Sequence, residues 1–466
     1  MSMLKRLALV CFAGVLSTSG GERGIWLCVG PESLVNETAP LCELRSAQGW
    51  KVERSSMPLA EGIAALPTKP AAILILADDD SPGIEAARLP YHGWLAKHPK
   101  EFASDSMFGD LDHDGVPDVP VGRIPAHNPE ELAAVIRKIL AWEARTPSPE
   151  DLSIPVWAGD PGFGRIGDVM AQVSLPFFMQ RLRHEAPPWA GFWLMHSEPR
   201  SPFCGWVRDS AATFNQRIGQ GGLLSAMIGH GRNDSWWITT LPSGPLRYRA
   251  EDARSMMGAT PAPPHLVFAC RCGAFADPEK ACLGEEMLFA PGGPVACIAA
   301  SVDSHPITNY YGSTSLLACL RDEPADTLGQ LWVESIRHAH SRRELTKELL
   351  VSALEPFVIG TRNPVRDLKA DHLLIYNLLG DPATQLFLPR PLRAQVLKVE
   401  EGWRWTVEKP EGLPAGAKLL VQQRVPLPNF RLGQPSPEAA GAMQVFREAN
   451  ATLDFRTLRE LDSSQE

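Results

Sequence analysis

The chain predicts an α/β protein built on parallel sheet, and two observations carry that expectation. Short apolar runs at residues 25–29, 73–77, 154–158, 223–228, 266–269 and 294–299 have the length and continuity of strands buried on both faces. Segments of helical spacing lie between many of them, as strand–helix–strand units require.

In chain order, the strand at 25–29 leads to a helical segment at 39–48, and Gly49-Trp50 turns the chain into an extended stretch at Val52. The run at 73–77 ends in Asp78, Asp79 and Asp80. Asn128 then caps a helix, with Pro129 at its first position and Glu130 and Glu131 in its first turn, where the helix dipole favours negative charge. Leu132, Val135, Ile136, Ile139 and Leu140 form the apolar stripe of that helix. The Pro- and Ser-containing stretch at 145–151 reads as a linker, dividing a first α/β subdomain (24–145) from a second (152–388). The second holds the strand at 154–158, a helix at 166–183, three further strands, and helices at 314–320 and 327–340. Beyond a boundary at 386–391, the stretches 403–407 and 418–425 predict a small all-β domain over 393–461, ahead of a polar end at 462–466.

Composition narrows the function classes. The 466 residues are 44% hydrophobic and 21% charged, as in a globular protein with a full core. A net charge of -9 leaves no basic footprint for nucleic acid or for anionic lipid surfaces. No apolar run reaches the length of a membrane span. Lys5 and Arg6, the apolar stretch 7–16 and the small residues Ser17, Thr18 and Ser19 predict a signal peptide over 1–20. That points to a secreted, periplasmic or cell-surface protein; a short buried strand is the alternative. The nine cysteines are scattered rather than spaced as in a small stapled scaffold. Oligomeric state is not set by anything in the sequence.

The chemistry-bearing residues follow two of the strands. The run 223–228 is followed by Gly229-His230-Gly231, and the run 266–269 by Cys270-Arg271-Cys272-Gly273. Residues just past the carboxyl ends of parallel strands line the ligand crevice of such a sheet. A histidine beside a cysteine can activate the thiol as a nucleophile. Glycines around the histidine admit tight turns and a close substrate backbone. Backbone N–H groups of Gly231 and Cys270 are candidates to stabilise an oxyanion. The alternative is a buried cysteine and a loop histidine unrelated in space. Cys272 is a rival thiol, and a zinc site from Cys270, Cys272, Cys282 and a histidine lacks the paired Cys-x-x-Cys arms of structural zinc sites.

These motifs resemble the gingipain-type cysteine peptidases. The resemblance rests on Gly229-His230-Gly231 with Trp236 and on Ala269-Cys270-x-x-Gly273-x-Phe275. It extends in order through Asp110-x-Asp112-x-Asp114-Gly115, Asp118-Val119-x-Val121-Gly122-Arg123-Ile124, Gly284-Glu285, Gly293-Pro294-Val295-Ala296 and Asn377-Leu378-Leu379-Gly380-Asp381-Pro382, covering about residues 25–388. It implies a caspase-like arrangement of two parallel-sheet subdomains and a C-terminal β domain, Ig-like by resemblance. It implies Cys270 as nucleophile, His230 as general base and acid, and Asp160 as the acidic residue near the histidine, where the gingipains carry glutamate. A peptide or protein would be the substrate, with no organic cofactor. The gingipains that cut after arginine have a carboxylate in the stretch matching Met170, Ala171 and Gln172, which offers none here; Asp168 is the nearest.

Asp110, Asp112, Asp114 and Asp118 stand at positions 1, 3, 5 and 9 of a loop with Gly115 at the sixth, the opening pattern of an EF-hand calcium loop. Val121 replaces the bidentate glutamate at position 12. A structural calcium ion is the functional reading and a solvated acidic turn the alternative. The sequence therefore points to a cysteine endopeptidase acting through a thioester on Cys270. A catalytically inactive relative that binds or scaffolds is the second reading, and transpeptidation through the same intermediate a third.

Overall fold

The computed structural model describes residues 7–12, 22–92, 99–160, 180–181, 183–322, 325–346, 348–349, 364–389, 394–400, 402–407, 418–424, 432–453 and 455–462. Ten strands form one central sheet: β1 (Ile25–Val29), β2 (Lys51–Ser55), β3 (Ala72–Leu76), β4 (Val121–Ile124), β5 (Ser153–Ala158), β6 (Gly191–His196), β7 (Ser225–Ile228), β8 (His265–Phe268), β9 (Cys297–Ala300) and β10 (Tyr376–Leu379). Their spatial order is β2-β1-β3-β4-β10-β9-β8-β7-β5-β6. Most are fully buried and apolar because helices and loops cover both faces, giving two large hydrophobic clusters. The helix Pro129–Ala144 forms as its sequence requires, with the Asn128 side chain accepting the Glu131 N–H at 2.9 Å.

The two halves of the chain do not make separate sheets. β10 pairs parallel with β4 of the first half and antiparallel with β9 of the second, welding both into one layer. All other neighbours are parallel. Five strands therefore run one way and five the other. The carboxyl ends of β5 to β9 share one edge with the amino ends of β4 and β10. The expected linker at 145–151 is structured: Arg145 holds Asp151 through a two-pronged ion pair at 2.7 and 2.8 Å.

Two elements depart from the sequence expectation. Gly231–Arg232, Ser235–Leu241 and Gly244–Arg249 form an antiparallel three-stranded sheet directly after the histidine. The C-terminal segment is not all-β: strands Ala394–Val399, Gly402–Val407, Lys418–Arg424 and Phe455–Asp462 accompany a helix at Ala439–Ala451. That helix covers the edge strand β6. The Asn450 amide bonds both the N–H and the carbonyl of Leu194, and Phe446 meets Trp193 edge-on. Its alanine-rich sequence supplies the helical propensity. Residues 7–12, within the apolar stretch of the predicted leader, form a strand antiparallel to Lys418–Arg424. Most of the helix expected at 166–183, including Asp168, Met170, Ala171 and Gln172, lies outside the described residues.

Candidate active site

Three neighbouring strand ends carry the three residues singled out by sequence. Ala158 of β5 lies opposite Ile228 of β7, and Ile228 opposite Phe268 of β8. Asp160, His230 and Cys270 each follow two residues later. All three thus lie just past the carboxyl ends of adjacent strands, which are spaced about 4.8 Å apart, with the histidine's strand in the middle. The ladder continues past the strand ends, since Gly159 N–H donates to Ile228 and Gly229 N–H to Phe268.

Gly231 is glycine for a steric reason. A Cβ there would sit 2.5 Å from both the Cys270 carbonyl oxygen and the Cys272 sulfur. The histidine loop can therefore lie directly on the cysteine loop. Beneath it, the buried Trp236 ring supports Gly229 and Gly159 and packs against Trp157 at 4.8 Å, which accounts for the tryptophan in the motif. His230 is exposed, and its carbonyl accepts the Trp237 N–H at 2.8 Å. In an antiparallel ladder hydrogen-bonded pairs alternate with open ones. The next pair, Gly231 with Trp236, is thus an open one, and the Gly231 N–H points away from the hairpin.

Cys270 is partly buried, and Arg271 after it takes a left-handed φ of +58°. A non-glycine residue in that region turns the chain sharply, directly after the cysteine. The Arg271 guanidinium grips Asp303 at 2.8 and 3.0 Å, and its N–H bonds the Val302 carbonyl. This clamps the loop after β9 beside the thiol. Ser304 N–H donates to Sγ at 3.4 Å, while the thiol donates to the Ser304 carbonyl at 3.6 Å. Burial pushes the Cys270 thiol up, and the Ser304 hydrogen bonds oppose that. Cys272 is fully buried, donates to the Arg232 carbonyl at 3.4 Å, and has its pKa raised well above the ordinary thiol value by burial. Of the two thiols, Cys270 alone has the exposure a nucleophile needs.

The Asp160 carboxylate accepts the Thr239 hydroxyl at 2.9 Å, and its N–H bonds Ile238, so the new hairpin holds it at the site edge. Next to it on β6, burial pushes His196 down to about 4, leaving that ring neutral. Sequence reasoning missed the hairpin, the Arg271–Asp303 clamp, Ser304, and Tyr91, whose hydroxyl donates to the Asp303 carbonyl. The hairpin alone left a signal, in the Trp, Ile and Thr run at 236–240 bounded by turn residues.

Ligand oxygens of Asp110, Asp112 and Asp118 lie within 4.8 Å of one another. Asp114 does not join them; its carboxylate accepts the Val116 N–H at 2.8 Å, the turn-closing role of an aspartate in such a loop. Gly115, at φ +88°, makes the sharp bend expected of the sixth position. Asp118 also pairs with Arg337 at 2.6 Å. Among the described residues no other group of His, Cys, Asp or Glu gathers in this way, so the zinc alternative finds no support. Among the described residues Cys28, Cys42, Cys204, Cys270, Cys272, Cys282 and Cys297 are free thiols.

Comparison with known proteins gives a consistent result. The family model described as Peptidase family C25 matches residues 64–387, more than half of the chain. The crystal structure of the Arg-specific cysteine proteinase gingipain R (RGPB) superposes with a TM-score of 0.55 at 14% identity, covering 87% of this chain and 96% of that one. The complex of Porphyromonas gingivalis RgpB pro- and mature domains gives 0.54 at 13%, covering 85% and 96%. A structure described as a protease gives 0.55 at 14%, covering 86% and 85%. At these identities the superpositions speak for the fold. A search of the curated proteins finds no match.

Proposed function

The chain belongs to peptidase family C25, and we propose that it is a working cysteine endopeptidase with Cys270 as nucleophile. The observation that supports this is the position of Asp160, His230 and Cys270, each two residues beyond one of the mutually paired strand-end residues Ala158, Ile228 and Phe268. His230 accepts the thiol proton, and the sulfur attacks the scissile carbonyl carbon, forming the S–C bond as the carbonyl electron pair moves to oxygen. In this reading the Gly231 and Cys270 N–H groups donate to that oxyanion. Collapse breaks the C–N bond, and His230 passes its proton to the departing amine. Water then attacks the thioester with His230 as base; the S–C bond breaks, the acid leaves and the thiol is restored. Asp160 orients the imidazole from the far side.

Iodoacetamide labelling followed by peptide mapping tests this, run alongside cleavage of a mixed peptide library. Cys270 is expected to label at least about tenfold faster than any other cysteine, since reactivity follows thiolate character and exposure, and the library is expected to be cut internally. Uniformly slow labelling with no cleavage would assign the chain instead to binding or scaffolding. Added amine acceptors diverting the acyl group from water would mark transpeptidation.

We further infer that Asp110, Asp112 and Asp118 hold calcium. Three carboxylates on a loop with a sharp glycine turn suit a hard cation of flexible coordination. An ion that binds only the folded state raises stability with its concentration. Calcium is therefore expected to raise the melting temperature and a chelator to lower it, with Asp112→Asn removing both responses. A melting temperature indifferent to both additions would leave the loop a solvated acidic turn.

A further inference from the structure

We propose that Ser304 is a further catalytic residue, whose main-chain N–H and hydroxyl hold the Cys270 sulfur as it ionises, with Asn309 and Tyr376 as positioning residues for that hydroxyl. This rests on the reading of Cys270 as the nucleophile. The loop after β9 brings Ser304 to the thiol, with the N–H at 3.4 Å and Oγ at 3.9 Å from Sγ. Ser304 is 3% exposed, so little water competes for these contacts. Its carbonyl accepts from the neutral thiol at 3.6 Å. One residue thus offers an acceptor to the thiol and two donors to the thiolate, which favours each form in turn as the proton leaves for His230.

The hydroxyl proton is aimed by the residues behind it. The Tyr376 hydroxyl donates to Asn309 Oδ1 at 2.7 Å, which fixes the amide oxygen toward Tyr376. The amide nitrogen then faces Ser304 and donates to Oγ at 3.1 Å. An amide NH2 group cannot accept. The Ser304 proton must therefore turn elsewhere, to the neighbouring Tyr376 oxygen or to Sγ. Once the sulfur is negative it is the stronger acceptor, because hydrogen bonds to ionised groups are about twice as strong as neutral ones. The Arg271–Asp303 ion pair and the Tyr91 hydroxyl on the Asp303 carbonyl keep the loop in place. Burial raises the thiol pKa, so donors at Ser304 supply what the buried setting withholds.

The test is the pH profile of Cys270 alkylation by iodoacetamide, read by peptide mapping, together with kcat and KM on a cleaved peptide. Ser304→Ala is expected to raise the alkylation midpoint by about one pH unit and to lower kcat about tenfold, the equivalent of one unit, with KM little changed. Ser304→Thr should restore both. Asn309→Ala should move both in the same direction by less, and serves as the second variant should Ser304→Ala fold poorly. Profiles of Ser304→Ala and Asn309→Ala that coincide with wild type, while wild-type Cys270 labels fast, would overturn the role of Ser304 alone. Wild-type Cys270 labelling no faster than the buried thiols would sink the nucleophile reading and this proposal with it.

Discussion

Cys270→Ala is expected to lower kcat/KM for peptide hydrolysis by at least about 10⁴-fold, and His230→Ala by a similar factor. The two residues act as one unit, so the double variant should be little worse than either single one. Stability should hardly move in Cys270→Ala, because the sulfur is only partly buried and a thiol is a weak donor and a weak acceptor to the Ser304 carbonyl and N–H. Cys272→Ala should do the reverse. Its sulfur is fully buried beneath Gly231, so its loss leaves a small cavity costing about 1 kcal/mol while catalysis continues. Steady-state kinetics and melting temperatures on the three cysteine and histidine variants check all of this. Hydrolysis surviving in Cys270→Ala but lost in Cys272→Ala would reverse the assignment.

Much of this site was legible because strand-end chemistry follows period and register. An apolar run of four to six residues says where a parallel strand ends, and His230 and Cys270 stand two residues and one residue past two such runs. Strand direction was not legible. Nothing in the apolar run at Tyr376–Leu379 states that it returns antiparallel to β9 and parallel to β4, so two expected sheets became one. Ser304 was invisible for a different reason. Its nearest contact with the sulfur is a backbone N–H, which every residue but proline carries, and its hydroxyl works only through Asn309 five residues on. In the acidic loop the spacing found the turn, and three of the four carboxylates it named, Asp110, Asp112 and Asp118, gather there. The helix at Ala439–Ala451 was hidden among strand signals, and its reason for being there, the open edge of β6, lies more than two hundred residues away.

Arg45→Met is expected to cost about 3–5 kcal/mol of stability near pH 8, the usual result of removing one partner from a buried ion pair. The Arg45 guanidinium is wholly buried between Glu143, at 2.9 Å, and Asp381, at 2.7 Å. Asp381 also accepts the Trp26 indole N–H at 3.1 Å and the Ala383 N–H at 2.9 Å. Without the arginine, two carboxylates remain in a dry site with only neutral donors. They repel one another and have lost the water that would solvate them, so the folded variant carries the penalty of unpaired buried charge. Melting curves of variant and wild type check this, and a loss below about 1 kcal/mol would show that Arg45 contributes packing alone. Replacing all three groups together (Arg45→Met, Glu143→Gln, Asp381→Asn) should recover most of the loss, because no buried charge is then left unpaired. The variant also separates two roles within the Asn377-to-Pro382 motif. Asp381 sits past the carboxyl end of β10, whereas Cys270 lies at the edge where β10 begins. Arg45→Met should therefore keep wild-type kcat at low temperature and lose activity only as it unfolds, which places the motif's aspartate in the joint between the two halves of the sheet and outside the chemistry.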